Sequence, residues 1–178
     1  MAGLRTVRRS FADKRLQKSL LRILRENVLC SISTVAPRNR AHINTAYFAY
    51  SPDLELYFLS DLDSLHGKNL ERNASLAMTI FRSAQAWGVP NRGLQLFGTA
   101  RRATGAAAKR AERFYGRRFP AYLRYVRSTR AKDRAMGDQL QSYRFYRFVP
   151  RTVKILDEGE FGGGVFVVAT VPRRKGSR

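Results

Sequence analysis

Two hydroxyls, an imidazole and an ammonium group, on Ser60, Ser64, His66 and Lys68, lie within nine residues of one another. One turn of chain can gather them. Hydroxyls beside the unpaired N–H groups of a helix start make an anion cradle, and phosphate is an anion that such a cradle commonly takes. The plainer alternative is that Ser64 only caps its helix while His66 and Lys68 are solvated surface residues. Other constellations are thin. His42 and His66 are the only histidines, no Cys or His spacing fits a metal site, and no G-x-S-x-G element is present. The expectation is therefore no metal and no catalytic side chain, so that a cofactor supplies the chemistry if the protein is an enzyme.

The elements that must position these groups are legible on either side. Leu54, Leu56 and Phe58 alternate with Glu55, Tyr57 and Leu59, and Leu76, Met78 and Ile80 alternate with Ala77, Thr79 and Phe81, which predicts two strands. Ser60 ends the first strand, and Ser64 stands where an N-cap should stand before a short helix.

Upstream, Ser10 with Asp13 resembles a capping box, and Leu16, Leu20, Ile23 and Leu24 follow at helical spacing. Residues 28–35 and 41–50 read as strands on short turns, so with the strand from Leu54 they predict an antiparallel meander. Residues 92–101 read as a further strand in which Gly98 marks a bulge or bend. Thr104 is expected to cap a helix that ends at Phe119-Pro120, and residues 121–142 read as basic, weakly periodic helix. Two strands joined at Pro150-Arg151, the turn Gly162-Gly163-Gly164 and a last strand at 165–171 complete the pattern, with the last seven residues expected to be disordered.

A length of 178 residues suits one domain with a sizeable core, and the lone Cys30 in an apolar run reads as a buried thiol in an intracellular protein. The Arg8-Arg9 pair lacks the uninterrupted apolar stretch of an export signal, and no stretch is long enough to span a membrane. A cytoplasmic location is expected. The net charge of +21 is unevenly spread: eight bases and one acid in residues 1–25 give +7, and fifteen bases and three acids in residues 101–151 give +12. Residues 26–100 balance at six against six. Arg113, Arg117, Arg124 and Arg127, interleaved with Phe114, Tyr115, Phe119, Tyr122 and Tyr125, could pair phosphates and stack bases, so a non-enzymatic binder of nucleic acid or another polyanion is a second reading. The plainer alternative is a solvated basic face with those aromatics in the core.

Taken in order, Leu56-Tyr57-Phe58-Leu59-Ser60 with Ser64 and His66, Arg92-Gly93-Leu94-Gln95 with Gly98, Tyr115-Gly116-Arg117-Arg118-Phe119-Pro120, and Tyr146-Arg147-Phe148-Val149-Pro150 carry a likeness to a known family. The chain resembles the FMN-binding split barrels of the pyridoxamine 5'-phosphate oxidase-like superfamily over roughly residues 12–160, and within it a small, little-characterised bacterial branch. The resemblance implies an α+β, mostly β fold: an antiparallel split barrel of about six to eight strands, with an N-terminal helix, a short helix after the third strand and a basic helical segment before the last strands. It implies an FMN domain over residues 1–160, holding the helical segment 104–142, followed by a strand and basic tail at 161–178. It further implies an FMN-dependent oxidoreductase built as a homodimer. Ser60, Ser64, His66 and Lys68 would face the flavin phosphate, and Asn44, Thr45 and Gln95 would lie near the ring. Deazaflavin or haem is the alternative cofactor within the same fold. Leu65 and His66 stand where the family usually places Arg or Lys. True pyridoxamine phosphate oxidases end in an arginine-rich segment containing tryptophan, whereas Trp87 is the only tryptophan here. That vitamin is therefore not the expected substrate.

Overall fold

The computed structural model describes residues 3–172, so the basic run at 173–178 and the disorder expected there lie outside the described residues. The chain runs β1 (Arg5–Arg8), α1 (Lys14–Glu26), β2 (Leu29–Ala36), β3 (Arg40–Tyr50), β4 (Leu56–Ser60), α2 (Leu65–Arg72), β5 (Ser75–Phe81), β6 (Arg92–Arg102), α3 (Gly105–Arg118), α4 (Pro120–Arg127), α5 (Arg134–Ser142), β7 (Arg144–Asp157), α6 (Glu158–Phe161) and β8 (Val165–Thr170). The eight strands form one sheet in the order β1-β8-β7-β4-β3-β2-β5-β6, and an additional β6–β7 pairing closes six of them into a ring. This is the expected α+β split barrel, with strand only slightly ahead of helix at 39% against 36%.

Burial follows the strand period. In β2, Cys30, Ile32 and Thr34 point inward, and in β5, Leu76, Met78 and Ile80 do so, all at most 2% exposed. Helix α1 adds Leu16, Leu20, Ile23 and Leu24 to this core, and α2 adds Leu70. On the opposite face of β3, β4 and β7, Ala49, Tyr57 and Phe145 form a second core with Ala111 and Tyr115 of α3. The Cys30 thiol is buried as expected, and loss of solvent pushes its pKa up to about 12. Among the described residues no helix is long and apolar enough to cross a membrane.

Several local expectations change. Asp13, not Ser10, caps α1, its carboxylate accepting the N–H groups of Arg15 at 2.9 Å and Leu16 at 3.0 Å. Thr104 occupies the N-cap position of α3, but its side chain makes no capping bond. The two strands expected on either side of Pro150-Arg151 are one strand, β7, because Pro150 lies opposite Gly98 at a register shift where no ladder N–H is needed. Leu54 has a positive φ of 57° and precedes β4 instead of starting it. The short strand β1, which pairs parallel to β8, and helix α6 carry no hydrophobic alternation and were not expected.

Helix α1 is pinned to the sheet by a buried charge. Asp157, 2% exposed, accepts hydrogen bonds from Ser19 Oγ at 2.5 Å and from the Arg22 guanidinium. Replacing Arg22 with Met would leave that carboxylate buried with only a hydroxyl. Arg22→Met should therefore cost about 3 kcal/mol, read as a fall in the urea midpoint with an unchanged slope; a midpoint equal to wild type would contradict this account.

Candidate functional site

The end of β4 and the start of α2 bring three of the expected residues together. Ser60 Oγ lies 2.5 Å from His66 Nε2 and 3.2 Å from Ser64 Oγ, and Ser64 Oγ lies 3.2 Å from the same nitrogen. The local sequence explains the cluster. Ser64 caps α2 by accepting the Gly67 N–H at 3.2 Å, and its hydroxyl donates to the Asp61 carbonyl at 2.7 Å. Because the Lys68 N–H already bonds the Ser64 carbonyl at 3.0 Å, the N–H groups of Leu65 and His66 are those that the helix cannot satisfy itself. Gly67 is required here. A Cβ at this position would lie 2.6 Å from Tyr146 Oη and 2.9 Å from Ser64 Oγ, so only glycine lets the helix start sit against β7.

Lys68 does not join the cluster. Its ammonium pairs with Asp63 Oδ1 at 3.2 Å, and both side chains are largely exposed, so the pair adds little stability. Burial holds the His66 pKa below its ordinary 6.5, and the nearby His42 lowers it further. His66 is therefore a neutral imidazole at pH 7, where the family likeness would put a permanent positive charge.

The strand β3 divides the remaining candidates between two faces. Asn44 pairs with Ile32, whose side chain is fully buried, and so points toward the main core; His42, two residues earlier, shares that side. The His42 ring lies 6.3 Å from that of His66. Asn44 Oδ1 and His42 Nδ1 are buried without a hydrogen-bond partner, and beside them Asn69 donates to Thr34 Oγ1 at 3.1 Å. His42 is thus part of the polar cluster, although sequence reasoning gave it no role. Its period-2 relation to Asn44 was the available signal.

Thr45 points the other way. On the outer face it is level with Ser31, Thr79, Gln95 and Lys154, which stand in register across β3, β2, β5, β6 and β7. Exposed apolar side chains flank this polar row: Ile43 at 70%, Tyr47 at 54%, Phe81 at 49% and Phe97 at 43%. Gln95 and Lys154 also line a shallow cavity with Phe81 and Phe166. The seven candidates therefore fall into three groups: Ser60, Ser64, His66 and Asn44 inside, Thr45 and Gln95 outside, and Lys68 on the helix surface.

The basic helical segment resolves in the same way. Arg113, Arg117, Arg124 and Arg127 are exposed, but Tyr115, Phe119, Tyr122 and Phe114 pack in the second core, with Phe114 stacked on Tyr57 at 5.9 Å. Tyr115, Phe119 and Tyr122 are thus engaged in packing, while half-buried Phe114 also borders a cleft with Arg117 and Arg118. Several arginines are neutralised by acids, Arg110 by Asp53 at 2.7 Å and Arg147 by Glu55 at 2.5 Å. Among the described residues no group of three or more metal-binding side chains occurs.

Comparison with known proteins bears on this geometry. The family model described as pyridoxamine 5'-phosphate oxidase matches residues 16–156. No curated protein matches the sequence significantly. Solved structures share the fold. A protein of unknown function from Agrobacterium tumefaciens is 20% identical, with a TM-score of 0.60 over 75% of this chain, and this chain spans about half of it, 52%. The haem storage protein HutZ from Vibrio cholerae is 18% identical, with a TM-score of 0.59 over 76% of this chain and 90% of its own. A Clostridium acetobutylicum protein related to general stress protein 26 of B. subtilis, of the pyridoxinephosphate oxidase family, is 11% identical, with a TM-score of 0.65 over 89% of this chain and 96% of its own.

The two causes of the His66 shift can be separated. An NMR titration should place its midpoint below 6.5, and His42→Ala should move it upward while leaving it depressed, since burial is the larger cause. Because the unfolded chain protonates His66 first, this residue's contribution to stability is complete above pH 6.5 and is lost as pH falls toward the folded midpoint. A midpoint at or above 6.5 in the wild type would overturn the burial argument.

Proposed function

The chain belongs to the pyridoxamine 5'-phosphate oxidase family, and on that premise we propose that it is a homodimeric FMN-binding oxidoreductase of the cytoplasm. The observation that carries the reading is the Ser60–Ser64–His66 triangle, all contacts between 2.5 and 3.2 Å, at the first turn of α2. Two hydroxyls and the N–H groups of Leu65 and His66 suit a phosphate, and Gly67 leaves the space beside Ser64 Oγ free of a side chain. Charge is what the site lacks. His66 is neutral and Lys68 is paired only with the exposed Asp63, so a bound phosphate favours the protonated form of His66 and competes with Asp63 for Lys68.

The flavin supplies hydride or electron transfer when bound. The chain's own residues bind and orient it. The outer row of Thr45 and Gln95 offers hydrogen bonds to the ring edge, and a second copy of the chain would cover the exposed Ile43, Tyr47 and Phe97 that flank the row. Asn44, whose Oδ1 lacks a partner, would position the inner end of the site. Of the side chains named in the outer row only Lys154 is ionisable, and its ammonium lies over the Phe166 ring at 4.3 Å, so no side chain is assigned a catalytic role. Pyridoxamine phosphate itself is not proposed as the substrate, since Trp87 is the only tryptophan and lies in the loop before β6.

Flavin fluorescence decides the cofactor. FMN should be quenched on binding, with affinity rising by up to about tenfold per pH unit as pH falls through the His66 titration. His66→Lys should bind more tightly and with a flatter pH profile, and His66→Ala more weakly. No fluorescence change at high micromolar FMN would remove the FMN claim. The absorption spectrum of protein purified from its native host separates the alternatives, since haem gives a Soret band and a deazaflavin a blue-shifted, flavin-like spectrum.

The dimer has its own test. Ile43→Glu places charge at a position 70% exposed, where it should not disturb the fold. By sedimentation, the wild type should be a dimer and the variant a monomer that binds FMN more weakly; a monomeric wild type would contradict the proposed assembly.

A further inference from the structure

Between α1 and α3 lies a cleft of about 530 Å³ that the flavin reading does not use. Its walls follow helical spacing. Leu21 and Arg25 stand four residues apart on one side of α1, Phe114, Arg117 and Arg118 form a stripe on α3, and Tyr50 at the end of β3 is also part of the lining. The volume is in the range of small-molecule sites, and the lining combines three guanidinium groups, an apolar wall and no carboxylate.

Arg118 separates this cleft from ordinary basic surface. Its guanidinium donates to the carbonyl of Leu24 at 2.7 Å and to that of Asn27, and it stacks over the Phe48 and Tyr50 rings at 4.9 Å each. It is therefore held rigidly. Arg22, Arg110 and Arg147 each have a carboxylate partner, whereas Arg118 forms no ion pair among the described residues. A fixed, partly buried cation without a counter-anion attracts an anion strongly, because solvent screens it less than it screens a surface charge. Arg25 and Arg117 are exposed at the same cleft and can close on the anion as a fork.

We propose that this cleft binds a small organic anion, a carboxylate or phosphate ester carried on a flat apolar body, with Arg117 and Arg118 at the anionic head and Leu21, Tyr50 and Phe114 against the body. The head supplies the counter-charge that Arg118 lacks. Bare inorganic anions would leave the apolar wall in contact with water, and amines would be repelled, so the cleft selects on both charge and shape.

Calorimetric titration of the full chain with three probes tests the proposal: 2-naphthoate, naphthyl phosphate and 1-naphthylmethylamine. One or both anions should bind at one site per chain, and which of them binds more tightly identifies the head group; the amine should not bind. Inorganic phosphate should compete at least about tenfold more weakly, since it lacks the apolar body. Arg117→Glu, at an exposed position, should weaken the naphthyl anion by about tenfold or more while leaving the FMN titration unchanged. Leu21→Ser should weaken the naphthyl anion but not inorganic phosphate. Equal affinity of wild type and Arg117→Glu, or no naphthyl binding at millimolar concentration, would overturn the proposal. So would displacement by a short DNA duplex with a steep salt dependence, because it would assign the arginines to a polyanion backbone.

Discussion

At Gly98 the backbone of β6 approaches β7 so closely that a Cβ would collide with the Val149 carbonyl and stand 2.8 Å from the Pro150 Cα. That approach closes the ring. Across it the register steps from Phe97–Thr152 to Gly98–Pro150, leaving Arg151 as the extra residue of a bulge, which bends β7 so that it pairs with β6 along its length, with β4 through residues 144–148 and with β8 through residues 152–156. Without the bulge one strand could not serve three neighbours. Proline is tolerated there for the same reason, since the kink removes the need for its missing N–H.

Closure makes two compartments, and the chemistry divides along them. Inside, main-core side chains surround a small polar end where β2, β3, β4 and α2 bring Thr34, His42, Asn44, Ser60, His66 and Asn69 together. Low solvent access there keeps His66 neutral and leaves acceptors unpaired, and both effects make the site responsive to an incoming anion or donor. Outside, the same strands present a row of small polar side chains between exposed apolar ones, a surface suited to a flat ligand and a second chain. The alternation of one strand therefore sends neighbours such as Asn44 and Thr45 to opposite faces of the sheet.

The charge of +21 is distributed by the same architecture. Acids are few, and three of them hold arginines within the fold: buried Asp157 holds Arg22 of α1, Asp53 holds Arg110 of α3, and Glu55 lies between Arg110 and Arg147 of β7. Arg9, Arg15, Lys18, Lys68 and Arg92 form ion pairs nearer the surface, and the exposed arginines of α3 and α4 have neighbouring aromatics engaged in the second core beneath α3. Arg118 is the exception, fixed by carbonyls and aromatic rings instead of a carboxylate.

The local pattern was legible from residues alone: the period-2 runs of β2 to β6, the helical stripe of α1, the Ser64 cap and the Gly98 bulge each depend on neighbours within a few positions. The Ser60–Ser64–His66 cluster was legible for that reason, because a strand end, a cap and a first helical turn are contiguous in the chain. Family likeness placed these elements in a split barrel. Tertiary structure alone decided that β7 runs unbroken through Pro150, that β1 joins β8, that Lys68 turns to Asp63, and that Thr45 and Gln95 share a face which Asn44 does not. It also decided that His42 meets His66 and that α1 and α3 enclose a cleft around Arg118. These outcomes depend on which distant strands pair and in what register, and a single sequence specifies side-chain alternation along a strand without specifying the partner that each face will meet.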